Sequence, residues 1–223
     1  MRVPFHSLTT SISLFSFYVF YTIAAALYPG GVWDDPSTTG YSLWRNYLCA
    51  VLKKTAHNGQ PNIGRGYGIL AFLLLFATLI FWWGLLNKLL SENSSILRRG
   101  ARIASILSAV GFVATLITPP AQELISAHFF SVLFAVLFGL VATILPLVGL
   151  LQIPTYRPLG LVGLVLISPA VINLLIWAPY HLGVFDASDA LILVLQKIVV
   201  IAATILFLLS VLKQVQMATT KQA

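Results

Sequence analysis

Long apolar runs alternate with short polar breaks along this chain, and the breaks are too widely spaced for the helices of a soluble domain. The stretch from Gln122 to Leu151, QELISAHFFSVLFAVLFGLVATILPLVGLL, sets the pattern. At roughly 1.5 Å of rise per residue it exceeds the ~30 Å of a hydrocarbon core, and it predicts a transmembrane helix over 124–151. Comparable runs predict five more spans, at about 8–27, 69–86, 103–118, 159–178 and 189–212. The expected fold is all-α: a polytopic membrane protein, one domain over 1–223, built as a six-transmembrane-helix bundle. The first run also resembles a secretory signal, with Arg2 before it and Ala24-Ala25-Ala26 at its end. Its length favours a retained helix.

The one long polar connection lies between Tyr28 and Gly66. It opens on the turn signal Pro29-Gly30-Gly31, and His57-Asn58-Gly59-Gln60-Pro61 reads as a second turn. Between them, Ser42 is placed to cap an amphipathic helix from Leu43 to Lys54. That helix would carry Trp44, Leu48, Val51 and Leu52 on one side and Arg45, Asn46 and Cys49 on the other, lying along the membrane surface. Pro119-Pro120 stops the third span, and Pro169 and Asn173 fall within the fifth. A structural alternative has Asn173, one turn after Pro169, satisfying backbone groups that a proline kink releases.

Composition agrees with a bilayer protein. Hydrophobic residues make up 59% and charged residues 9%, far from the usage of soluble domains. The net charge of +7 is scattered between apolar runs and forms no continuous stripe, which argues against nucleic-acid binding. A single cysteine, Cys49, excludes an intrachain disulfide and a thiolate zinc cluster. Lysine and arginine on the side holding the termini and the second and fourth loops outnumber those on the other side by eight to four, which predicts cytoplasmic termini and an outward-facing first loop.

Polar residues inside the spans gather in the outer half. Thr22, Thr115, His128, Asn173, Gln196 and Lys197 all lie within roughly 5 to 15 Å of the outer helix ends. Asp189, Gln196, Lys197 and Thr204 share one face of the last helix, and an intramembrane lysine calls for a partner or a wet cavity. His128 shares a face with Ser131, Ala135, Gly139 and Thr143, whose small side chains admit a neighbouring helix. The expectation is an outward-opening pocket in which His128, Lys197, Asn173, Gln196, Glu123 and Asp189 bind a lipid headgroup or small polar ligand. A subunit role in a larger assembly, through the Ser131/Ala135/Gly139 face, is the companion reading, and membrane lipids are the other expected partners. No cofactor is required by either.

Two enzyme classes compete less well. Zinc-assisted hydrolysis would recruit His57, His128 and His181 with Asp34, Asp35, Glu123 or Asp186, although no paired-histidine helix motif fixes two ligands. A haem protein needs paired axial ligands within the membrane, and only His128 lies securely there. A structural alternative pairs Lys197 with Asp189 or Glu123 and gives His128 one interhelical hydrogen bond.

The passage YSLWRNYLCAVLKKTAHNGQPNIGRGYGIL, the histidine in AHFFSVLFAVLFG, and LQKIVV in the last helix resemble an uncharacterised bacterial six-helix membrane family, itself distantly similar to DRAM and Sfk type membrane proteins. The resemblance implies six helices, residence in a bacterial inner membrane, an extracytoplasmic first loop, and a histidine and a charged residue in helices four and six matching His128 and Lys197. Where family members show a Ser-Asp-Leu-Gly-like stretch, this chain has Leu48-Cys49-Ala50-Val51. The resemblance implies no established reaction.

Overall fold

A computed structural model describes residues 5–90, 94–120, 122–184 and 188–220. Among these residues are six helices long and apolar enough to cross a membrane: α1 (Phe5–Ala26), α2 (Arg65–Leu89), α3 (Ser95–Ile117), α4 (Ile125–Leu150), α5 (Arg157–His181) and α6 (Asp189–Thr220). This is the all-α bundle expected from the apolar runs. α6 continues past Leu212 into the polar tail, where Lys213, Gln214, Gln216 and Met217 are good helix formers and Ser7 of α1 bonds the Gln214 side chain.

α2 is the hub of the bundle. It packs against α1, α3, α4 and α6, and its Trp82, Trp83, Leu85 and Leu86 are fully buried. The remaining contacts run α3 to α4, α4 to α5, α5 to α6 and α6 to α1. In lipid the drive for this packing is close fit and satisfied polar groups, because acyl chains are as apolar as leucine. The α3/α4 seam makes that visible. A Cβ on Gly111 would sit 2.7 Å from the Ala135 nitrogen, Ser108 Oγ donates to the Ala135 carbonyl at 2.7 Å, and Trp83 Nε1 donates to Thr143 Oγ1 at 3.0 Å. The small-residue face of α4 is therefore occupied by α3 and α2, with Ala135 fully buried.

Proline in α5 is accommodated by a hydroxyl, and not by Asn173 as the structural alternative had it. Pro169 has no N–H for the Val165 carbonyl, and Ser168 Oγ donates to that carbonyl at 2.8 Å. The neighbouring hydroxyl fills the role that alternative gave to Asn173, since a hydroxyl on the preceding residue already lies over the freed group. Asn173 Oδ1 is buried without a partner.

The first loop folds into a cap across one end of the bundle. Strands β1 (Gly30–Val32) and β2 (Asp35–Thr39) pair antiparallel, with Gly30 opposite Thr39 and Val32 opposite Asp35. Gly31 has φ 82°, and a Cβ there would lie 2.3 Å from the Asn58 nitrogen, so only glycine fits between the hairpin and the second turn. The amphipathic helix expected over Leu43 to Lys54 does not form. A turn at Ser42 leads instead to a five-residue 3-10 helix, Leu48–Leu52. The proposed faces are mixed: Trp44 is 53% exposed while Val51 is buried, and Asn46, assigned to the polar face, is 1% exposed. Asparagine side chains have taken over the backbone. Asn46 Oδ1 accepts from the Ser42 N–H and its amide donates to the Gly31 carbonyl, and the Asn62 amide donates to the carbonyls of Val51 and Lys53.

Candidate functional site

The cap and α6 meet at Lys197. This residue lies about 12 Å along the helix from Asp189, within the bilayer thickness, and is 4% exposed. Its ammonium donates to the Asn46 carbonyl at 2.6 Å and to Gln196 Oε1 at 3.3 Å. Gln196 Oε1 also accepts the Leu48 N–H at 3.0 Å. Two consecutive residues of α6 thus hold two positions of the cap. These bonds exist because Asn46 is itself fixed by Ser42 and Gly31, which turns its carbonyl down toward the helix.

No carboxylate completes this arrangement among the described residues. Their ion pairs join Arg45 to Asp34 at 3.2 Å and to Asp35 at 3.9 Å, on the outer surface of the cap. The pairing of Lys197 with Asp189 or Glu123, the structural alternative, is not formed. Asp189 accepts from the Tyr180 hydroxyl at 2.9 Å, and Glu123 is exposed at the start of the α4 region. A buried ammonium held by neutral acceptors is costly, because carbonyl dipoles return only part of its hydration energy.

Around this junction the cap is rich in hydroxyls and has one thiol. The Tyr21 and Tyr41 hydroxyls are 2.6 Å apart, with the carbonyls of Leu48 and Tyr47 within 3.3 Å of one or the other. Burial raises the pKa of Tyr41 and of Tyr47, the latter helped by the negative charge of Asp189. Cys49 is half-buried, and burial pushes its thiol up to about 11, outweighing the opposite pull of Lys197 and Lys53. On the far side of the cap, Lys53 Nζ lies 3.3 Å from His57 Nδ1, and the Trp33 ring packs edge-on to His57. Burial, then the charge of Lys53, holds the His57 pKa down at about 4.

His128 belongs to a different structure. Its Nδ1 is 2.5 Å from the Thr118 carbonyl, one of the groups left free where Pro119-Pro120 ends α3. The histidine caps that helix from the side. His128 bonds the end of α3, whereas Lys197 bonds the cap. The other histidines are also dispersed. His181 lies among the rings of Tyr47, Phe129, Trp177 and Tyr180, with centroids 5.0 to 6.4 Å away, and His57 sits in the cap. Asp186 lies outside the described residues. Among the described residues, no group of three histidine, cysteine or acidic side chains is gathered as a metal site.

Of the expected ligand-binding residues, the neighbours Gln196 and Lys197 bond the cap and Asp189 lies beside them at Tyr47 and Tyr180, while His128, Asn173 and Glu123 have other settings. Asn46, which the sequence reading placed on a solvent face, is the partner it missed. Comparison with protein-family models, curated proteins and solved structures returns no match. The likeness to a bacterial six-helix family therefore rests on the quoted sequence marks alone.

Proposed function

We propose that this integral membrane protein binds an anionic lipid headgroup or small polar anion at Lys197, beneath the cap, with the cap moving aside as the ligand enters. The observation that carries this reading is the Lys197 ammonium itself, buried and bonded to a main-chain carbonyl and an amide oxygen. A phosphate or carboxylate oxygen is a stronger acceptor for an ammonium than a neutral carbonyl, so it can displace Asn46 at a net gain. Releasing Asn46 breaks its one bond to Lys197, which the incoming anion replaces, while Gln196 keeps its bond to Leu48 until the cap shifts. With both termini in the cytoplasm, as the lysine and arginine count favours, the ligand arrives from the outer leaflet.

The hydrolase reading is less well supported, since it needs His57, His128 and His181 at one place and each has a different setting. A purely structural role for Lys197, as a post for the cap, is favoured by the paired Gln196 bond. The two readings separate in nanodiscs of phosphatidylcholine with and without phosphatidylglycerol. Hydrogen exchange over residues 41–53 is expected to rise with the anionic lipid in the native protein and to ignore it in Lys197→Met. Exchange that is the same in both lipids for the native protein rejects ligand binding and leaves the post.

A further inference from the structure

At the opposite end of the bundle, where α1 begins and α2 ends, α1, α2 and α3 border an open pocket of about 450 Å³. Its lining includes His6, Asn87, Lys88, Arg98 and Arg102, and no described lining residue is acidic. The cations come from two helices: Lys88 from the last turn of α2, Arg98 and Arg102 from the first two turns of α3. Arg98 is oriented by its Nη2 bond to the Leu90 carbonyl at 2.9 Å. Lys88 and Arg102 are exposed. Gly84 leaves room for the His6 ring, whose Cε1 would be 3.1 Å from a Cβ at that position.

Two buried atoms in this wall lack partners. Asn87 is 6% exposed and its Oδ1 is unbonded, and so is His6 Nδ1. An unpaired buried amide oxygen is an acceptor waiting for a donor. The cations ask for a phosphate, while the amide oxygen asks for a hydroxyl.

Ile80 and Ser105 also line a second cavity of about 450 Å³, whose other walls are Ile106, Ala109, Val110 and Val113. The polar chamber thus continues into an apolar groove between α2 and α3. From Ser105 to Val113 the groove runs about 12 Å along α3 toward the middle of the membrane. A soluble phosphoester would use the chamber and leave the groove empty.

We infer that this end of the bundle binds an anionic phospholipid with a hydroxyl-bearing headgroup, its phosphate in the cationic chamber and an acyl chain in the groove. The site is separate from Lys197, at the other end of the bundle. The phosphate is held by Lys88 and Arg102 with Arg98 behind them, and a headgroup hydroxyl donates to Asn87 Oδ1. A choline headgroup has no such donor.

Native mass spectrometry of the full chain in detergent, titrated with phosphatidylglycerol, phosphatidylcholine or glycerol 3-phosphate, tests the assignment. Phosphatidylglycerol is expected to bind at least about tenfold more tightly than phosphatidylcholine, and the Lys88→Gln/Arg102→Gln protein to lose about tenfold in that affinity, as the removal of charge-assisted bonds implies. The charge-matched Lys54→Gln/Lys213→Gln protein is expected to bind like the native chain. Ala109→Phe, which fills the groove without touching the charges, is expected to weaken phosphatidylglycerol and spare any binding of glycerol 3-phosphate. Equal affinity for both lipids means annular association only and overturns the site, as does equal loss in the two double variants. Displacement of phosphatidylglycerol by glycerol 3-phosphate at equal concentration makes the occupant a soluble phosphoester and overturns the lipid assignment.

Discussion

The ammonium of Lys197 donates to the main-chain carbonyl of Asn46, 2.6 Å away across 151 positions of sequence. That single bond ties a helix deep in the bundle to the loop that covers it. Both groups are almost fully buried, so neither has water as an alternative partner.

Lys197→Met is expected to keep the bundle and loosen the cap. It removes a buried charge-assisted bond and leaves the Asn46 carbonyl unpaired, a loss of about 1 to 3 kcal/mol. Hydrogen exchange at Leu48 and its neighbours should accelerate while α2 and α4 stay protected. Uniform acceleration across all helices would show that the lysine holds the whole fold and not the cap.

Ser168→Ala and Asn173→Leu make an informative pair in α5. The first strips the Val165 carbonyl of the hydroxyl that replaces the missing Pro169 N–H, and should cost about 1 kcal/mol. The second removes an amide oxygen that has no partner, and should cost nothing or stabilise. Unfolding in mixed micelles against increasing sodium dodecyl sulfate measures both, and the opposite ranking would return the proline-support role to Asn173.

Gly111→Val tests the α3/α4 seam. The new side chain collides with the Ala135 backbone, which cannot rotate out of the way, and overpacking of this kind costs about 1 to 3 kcal/mol. The same unfolding titration should show it less stable than Gly66→Val, where nothing lies within 4 Å of the added Cβ.

Acid should loosen the cap through His57. Its folded pKa is depressed to about 4 against an ordinary value near 6.5, so the unfolded cap takes up the proton more readily. The stabilisation is complete above about pH 6.5 and disappears as pH falls toward 4. Protonation also removes the acceptor facing Lys53 and adds a like charge. Hydrogen exchange over 53–61 should therefore quicken between pH 6.5 and 4 in the native protein. His57→Gln should flatten that dependence, and an unchanged pH profile in the variant would assign it to another group.

The spans were legible because a bilayer permits few other ways to bury such runs, and the burial of Lys197 followed from its place in one of them. Its partner was not legible. Asn46 contributes a main-chain carbonyl, which every residue possesses, and its side chain looked like one more polar loop group until the fold turned it inward. The absent cap helix has the same origin, since asparagine competes with the helical backbone and tertiary bonds decided the contest. His128 was nearer to being readable. Pro119-Pro120 announced the end of α3, and an ended helix has free carbonyls for a nearby histidine. The chamber opposite the cap draws His6, Lys88 and Arg102 from three helices, and in sequence the two cations counted only toward topology.

Cys49 provides the most direct measurement, because it is the one cysteine of the chain and sits in the cap beside Lys197. Its rate of reaction with a membrane-impermeant maleimide in phosphatidylcholine nanodiscs should be slow in the native protein, where burial holds the thiol protonated. Phosphatidylglycerol should raise the rate in the native protein, and Lys197→Met should be fast in either lipid. A native rate that matches Lys197→Met and ignores the anionic lipid would mean that Lys197 neither holds the cap nor receives a ligand beneath it.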